Sequence, residues 1–319
     1  MFWQMDDDVA SIDEQISNYS KSLTSSVVNY PVEYGRQYHA FRPGTYKFPN
    51  DELELNRLDL AHAMMVMATG HKLYCAPLQP ERVHNILDIG TGTGIWAIEM
   101  GDNFEHAEIT GIDLSANQTR WVPSNVKFMV DDIESPWIES RKYDFIMCRY
   151  MGASIKDWPN LMRNIYDHLN PGGWAEFQDV NTKFYSQDSS YTDSTATARW
   201  MSAFMATCAS TGRDPSVGPK LEGWVRESAA FTNVTSHVLK VPLGPWARHQ
   251  YYKDLGMMNL MLTLDGLEAL SLKLFAEMLG WTEERIAGEL EGVREELKSC
   301  AFRALFDIHV VYAQKPPHG

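Results

Sequence analysis

Val83-His84-Asn85-Ile86-Leu87-Asp88-Ile89-Gly90-Thr91-Gly92-Thr93-Gly94-Ile95-Trp96-Ala97 is the stretch on which the fold turns. Residues 83–89 read as a short strand buried on both faces, because the apolar run is nearly continuous. Three glycines in five residues then make a tight turn, and residues 95–100 open a helix. Outward from this unit the pattern repeats. Residues 107–112 form a second strand ending at Asp113, and residues 126–130 a third ending at Asp131 and Asp132. Residues 143–148 form a fourth, followed by Arg149 and Tyr150. A helix over 158–169, a turn at 170–173 and a fifth strand over 174–178 complete the run. Strands alternating with helices predict an α/β, doubly wound, mostly parallel sheet.

The flanks read differently. Residues 1–30 carry Asp6, Asp7, Asp8, Asp13 and Glu14 and are expected to be an acidic arm. Residues 31–80 are expected to be a helical cover, with a helix over about 51–70 capped by Asn50 or Asp51 and stopped at Gly70. Residues 81–180 hold the alternating core. Residues 181–300 break the alternation and are expected to supply lid and substrate helices with a returning strand over 231–241. Residues 301–319 carry a last strand, over 302–314.

Composition sets limits. The 319 residues contain 42 acidic and 28 basic side chains, a net charge of −14. Nucleic-acid binding depends on Lys and Arg neutralising phosphates, so no nucleic-acid partner is expected. No run of about 18 apolar residues is present, so no membrane span is expected. Cys75, Cys148, Cys208 and Cys300 are scattered with no C-x-x-C pair, which predicts reduced thiols and no metal site. The first residues lack the basic start and apolar stretch of a secretion signal. The cytoplasm is the expected compartment with the nucleus as the alternative, although no Lys/Arg-rich tract reads as a nuclear address.

Two cofactor chemistries compete for the glycine turn. Gly92-Thr93-Gly94-Ile95-Trp96-Ala97 fits G-x-G-x-x-A, a dinucleotide fingerprint. Gly90, Thr91, Gly92 and Gly94, directly after Leu87-Asp88-Ile89, fit the first motif of class I S-adenosylmethionine methyltransferases. Asp88 favours the second, since a carboxylate repels a pyrophosphate but suits a cationic amino group and a sulfonium. Asp113, at the second strand end, is placed to accept ribose hydroxyls with either cofactor. Asp131 or Asp132 is placed to accept from an adenine amino group, with Asp132-Ile133 the preferred pair.

The whole pattern resembles the LaeA-like fungal family of class I methyltransferases. Tyr34-Gly-Arg-Gln-Tyr-His-Ala-Phe41, Arg57-Leu-Asp-Leu-Ala-His62 and Lys72-Leu-Tyr-Cys-Ala-Pro77 carry the resemblance before the glycine turn. Asp113-Leu-Ser115, Trp121-Val-Pro123, Leu169-Asn-Pro-Gly-Gly-Trp174, Gly244-Pro-Trp246, Leu279-Gly-Trp281 and Val310-Val-Tyr-Ala-Gln-Lys-Pro316 carry it after. The resemblance implies a Rossmann-like seven-stranded sheet whose last strand inserts antiparallel near one edge. It implies S-adenosyl-L-methionine as cofactor, contacted by Asp88, Gly90, Gly92, Asp113, Leu114, Asp132 and Ile133. It places Arg149 between the cofactor and substrate pockets, and Tyr38 in an N-terminal segment covering the cofactor. Some relatives in this family tailor small secondary metabolites; others resemble nuclear regulators that act through protein partners.

Catalytic groups are harder to read. His39 lies in the N-terminal cluster, His62 on the Leu-rich helix and His249 in the substrate half; His39 is the preferred candidate base. Tyr150 is the candidate acceptor-orienting hydroxyl. No late His–Glu base is visible. Trp200, Phe204 and Met205 recur at helical spacing and suit either a substrate wall or plain packing. The Met257-Met258-Asn259-Leu260-Met261 run suits an adaptable pocket or core. Three functions follow: a methyltransferase acting on a small, largely apolar secondary metabolite, a regulatory methyltransferase-like protein working through a protein partner, and a nicotinamide oxidoreductase.

Overall fold

The computed structural model describes residues 29–317 apart from positions 43, 45, 120 and 139. The acidic arm expected at 1–30 therefore lies, up to residue 28, outside the described residues. A short hairpin, β1 (Val32–Glu33) and β2 (Arg36–Gln37), precedes α1 (Glu52–Ala68). The alternating core follows as β3 (Asn85–Ile89), α2 (Ile95–Asn103), β4 (Glu108–Asp113), β5 (Val126–Val130), β6 (Tyr143–Arg149), α3 (Trp158–His168) and β7 (Leu169–Ser186). The remainder is α4 (Ala196–Ser210), α5 (Leu221–Ser228), β8 (Thr232–Pro242), α6 (Gln250–Leu279), α7 (Glu283–Ser299) and β9 (Ala304–Gln314).

Seven strands form one sheet in the order β5-β4-β3-β6-β7-β9-β8. The five strands from β5 to β7 are parallel, and β9 runs antiparallel to both of its neighbours. A seven-stranded, mostly parallel sheet with its last strand reversed near one edge is what the family resemblance implied, and the reversed strand lies one place in from that edge. β3 sits between β4 and β6, and Ile86, Leu87 and Ile89 are at most 1% exposed. That burial on both faces is why the segment reads as an uninterrupted apolar run. Helix α3 starts where Asp157 caps it, accepting from the Asn160 amide, and buries Trp158, Leu161, Met162 and Ile165 against the sheet.

Two expected boundaries move. The fifth strand begins at Leu169, and residues 170–173 are an irregularity in its pairing with β6, with Gly172 and Gly173 bonded to Lys315. Strand β7 also runs on to Ser186, paired with β9, into the region read as an insertion. The last strand begins at Ala304 and not at residue 302.

Helix α1 is capped by Asp51, whose carboxylate accepts from the Glu54 amide, and it lies against α6 and α2. Helix α4 packs on α6 and α7. Trp200 and Phe204 are at most 5% exposed in this second core, and the Trp200 indole donates to Ser271 Oγ at 2.8 Å. Trp200 and Phe204, of the stripe offered as a substrate wall, are therefore packing, because their helix buries them between two others. Among the described residues no helix is long and apolar enough to cross a membrane.

Candidate active site

The chain runs from β3 outward to β5, then returns to the other side of β3 as β6. A crevice opens at such a reversal, beyond the carboxyl ends of the strands. Here a cavity is lined by the ends of β3, β4, β5 and β6 and roofed by α1.

The glycine turn forms its floor. The Gly90 and Thr91 amides donate to the Ile112 carbonyl at 2.9 and 3.0 Å, tying the turn to the end of β4. Gly90 has φ +68°, and a Cβ there would collide with the Met151 side chain. Gly90, Thr91 and Gly92 line the cavity. Gly94 does not: it caps α2 with φ +84°, and its missing side chain leaves room for the Phe128 ring. It shapes the turn from behind.

Asp113 lines the cavity and accepts from the Gly92 amide at 2.9 Å and the Ser115 amide at 3.0 Å. Asp88 accepts from Thr91 Oγ1 at 2.6 Å and is 4% exposed. Burial is the main cause that pushes both carboxyls up to about 6, above the ordinary range. A cationic ligand group at Asp88 would oppose that burial effect. Leu114, Asp131, Asp132 and Ile133 also line the cavity. Asp132 accepts from Arg42 at 2.8 Å and from the Glu134 amide at 3.0 Å, while Asp131 accepts from the Asp132 amide.

Arg149 and Tyr150 also line the cavity. Tyr150 holds a left-handed backbone, φ 58°, an unusual conformation for a bulky residue. Its hydroxyl bonds the Arg57 guanidinium. Arg57 in turn clamps Glu54 at 2.8 and 2.5 Å, with both side chains at most 5% exposed. Tyr46, Leu55, Leu58, Ala61 and Met65 add a largely apolar surface to the lining.

Two expected site residues lie elsewhere. Tyr38 is 2% exposed beneath the Lys273 ammonium, which sits 4.2 Å over its ring, and it does not line the cavity. His39 is also buried outside the lining, its ring nitrogens against the carbonyls of Phe41 (2.7 Å) and Tyr46 (3.1 Å). With both nitrogens facing backbone oxygens, His39 holds the loop in shape and has no access to an acceptor's proton. His249 is exposed ahead of α6, and Met257 and Met261 point outward.

Sequence reasoning passed over other groups. His62, ranked below His39, is the histidine that lines the cavity. Asn50, weighed only as a helix cap, is buried at the cavity wall, donating to Ser115 Oγ at 3.3 Å, and its Oδ1 has no partner among the described residues. The Leu-rich helix was expected as part of the cover, but nothing in its spacing showed which polar members turned inward.

The donor set fits a nucleoside joined to a zwitterionic amino acid. The Asp88 carboxyl feels the Arg149 charge, and the Asp113 carboxyl and the Asn50 amide meet at Ser115. A strand–glycine turn–helix with an acid at the next strand end defines a class I, nucleoside-binding α/β protein. Residues 49–214 match the family described as "Methyltransferase domain". The methyltransferase pytC of Aspergillus terreus (strain NIH 2624 / FGSC A1156) is 44% identical over 314 residues, covering 98% of this chain and 96% of that one. The secondary metabolism regulator LAE1 of Cochliobolus heterostrophus (strain C5 / ATCC 48332 / race O) is 34% identical over 90% of this chain and 95% of that protein. The protein-methionine methyltransferase laeA of Emericella nidulans (strain FGSC A4 / ATCC 38163 / CBS 112.46 / NRRL 194 / M139) is 32% identical over 89% of this chain and 76% of its own. The chain belongs to the methyltransferase-domain family and is an S-adenosylmethionine-dependent methyltransferase.

Proposed function

We propose that this enzyme methylates a small, largely apolar secondary metabolite. One observation carries the reading: the apolar wall of α1 and the glycine turn enclose the same cavity. Small-molecule pockets are mostly apolar with a few placed polar groups, and this wall has that character.

In this reading Asp88 and Arg149 take the ammonium and carboxylate of the cofactor's amino-acid end. Gly90, Thr91 and Gly92 allow its close approach. Asp113 with Leu114, helped by Asn50, takes the ribose, and Asp132 with Ile133 the adenine. The bound cofactor supplies an electrophilic methyl group on a sulfonium. The chain supplies position: Tyr150, held by Arg57, orients the acceptor, and α1 excludes water.

Calorimetric titration with S-adenosylmethionine, S-adenosylhomocysteine and NAD tests the cofactor end. Asp113→Ala leaves the Gly92 and Ser115 amides without their carboxylate, so binding of both sulfur nucleosides should fall about 100-fold. Unchanged affinity in that variant would remove Asp113 from the site. Labelled methyl groups entering an organic-soluble product would support the acceptor class; labelling of protein alone would overturn it.

A second reading is a regulatory protein that works through a protein partner. The relatives named as regulators of secondary metabolism motivate it. A partner that co-purifies stoichiometrically while no small acceptor is methylated would favour it.

A further inference from the structure

His62 sits in the cavity wall with an acid on one ring nitrogen, the arrangement of a general base. Its other nitrogen excludes that role. Arg149 Nη2 lies 2.7 Å from His62 Nδ1. A guanidinium only donates, so Nδ1 carries the lone pair and Nε2 carries the proton. The Nε2–H then points to Glu99 Oε2, at 3.1 Å. Both nitrogens are committed. Burial, followed by the Arg149 charge, pushes the imidazole down to about 3, so the ring is neutral and a poor proton acceptor at physiological pH.

The same bonds give His62 another use. The three residues come from three elements: His62 from α1, Glu99 from α2, and Arg149 from the end of β6. Glu99 fixes the tautomer, as a carboxylate does for a metal-bound histidine. The imidazole then holds one guanidinium nitrogen. Arg149 lines the cavity, and His62 is its only side-chain hydrogen-bond partner among the described residues. Its remaining N–H groups form a fork suited to a carboxylate.

We infer that His62 is a positioning residue: it turns the Arg149 guanidinium toward the carboxylate of the cofactor's amino-acid end and so couples the seating of α1 to cofactor binding. This rests on the assignment of Asp88 and Arg149 proposed above.

The test compares two ligands by calorimetry on the full chain. S-adenosylhomocysteine has the amino-acid end; 5′-methylthioadenosine has the same nucleoside without it. His62→Leu should weaken S-adenosylhomocysteine about tenfold and leave 5′-methylthioadenosine unchanged. His62→Asn, which returns an acceptor oxygen near the Nδ1 position, should recover most of the loss. In an Arg149→Met background, His62→Leu should add nothing. Equal weakening of both ligands would show a purely structural role, and unchanged binding of S-adenosylhomocysteine would show no role; each overturns the inference. Arg149→Met binding S-adenosylhomocysteine as tightly as wild type would instead overturn the assignment of Arg149, and this inference with it.

Discussion

The two ends of the cavity are built by different means. At the cofactor end, the chain places Asp88, the glycine turn and Asp113 at consecutive strand ends, and backbone amides do much of the holding. At the proposed acceptor end, side chains from α1 meet a tyrosine that follows β6, held by a buried ion pair. The first end depends on backbone geometry, which few residues satisfy. The second depends on packing and charge pairing, which many sequences satisfy. Substitutions should therefore cost binding at one end and stability at the other.

Arg57→Met gives the largest expected effect. It strands the Glu54 carboxylate, which is 1% exposed, without its partner. Breaking a buried pair in this way costs about 3–5 kcal/mol. Urea unfolding should show that loss. The paired change Glu54→Leu with Arg57→Met should recover most of it, since two apolar side chains need no partner. A loss below about 1 kcal/mol in the single variant would mean the acceptor end is not pinned by this pair.

Trp200→Phe comes next, at about 1–3 kcal/mol, from a lost indole hydrogen bond and a Ser271 hydroxyl left buried. Thermal unfolding would report it. KM for cofactor and acceptor should not move, because neither Trp200 nor Phe204 lines the cavity. A raised acceptor KM with unchanged stability would return this helix to the substrate wall.

These contrasts explain what the sequence disclosed. The alternating core and the glycine turn were legible because strand burial, glycine and terminal acids leave a mark in a single stretch, whereas the seven strands and the reversed β9 came from the family resemblance. His39 was preferred over His62 because it lies in the N-terminal cluster expected near the cofactor, and neither spacing shows which way a ring faces. The structure separates them: His39 is saturated by two backbone carbonyls, whereas His62 faces Arg149 across 87 residues of sequence. Asn50 and Asp51 posed the same problem as adjacent cap candidates. Only the fold shows Asp51 capping α1 and Asn50 turning to the Ser115 loop.

The carboxyls of the cofactor end also predict a pH dependence. Asp88 and Asp113 titrate near 6 in the folded chain, above their ordinary value of 3.8. Their raised values favour the protonated form, so this contribution to stability is present below about 4 and lost as pH rises through about 6. An ammonium at Asp88 has the opposite preference and binds the ionised carboxylate. Affinity for S-adenosylhomocysteine should therefore rise from pH 5 to 7 and level off above. The steepest slope is about tenfold per pH unit, or about 1.4 kcal/mol. Calorimetry at pH 6 in two buffers of different ionisation enthalpy should detect proton release on binding, and Asp88→Asn should abolish it. A flat profile would separate Asp88 from the ammonium.

The smallest effect concerns the methionines. Met65 and Met257 both sit on helices rich in Met and Leu, and composition does not distinguish them. Met65 is 1% exposed and lines the cavity; Met257 and Met261 are 41% and 48% exposed on α6. An exposed methionine makes few of the dispersion contacts that reward burial, so the double change Met257→Gln with Met261→Gln should shift stability by less than about 0.5 kcal/mol. Turnover and KM should stay at wild-type values. If the double variant instead raised acceptor KM several-fold, the outer face of α6 would belong to the acceptor route and the apolar wall of α1 would not be the whole of it. Met65→Ala supplies the contrast: the same element deleted from the wall should lower both stability and acceptor affinity. The difference between the two variants measures how far the acceptor end extends along the helices that cover the sheet.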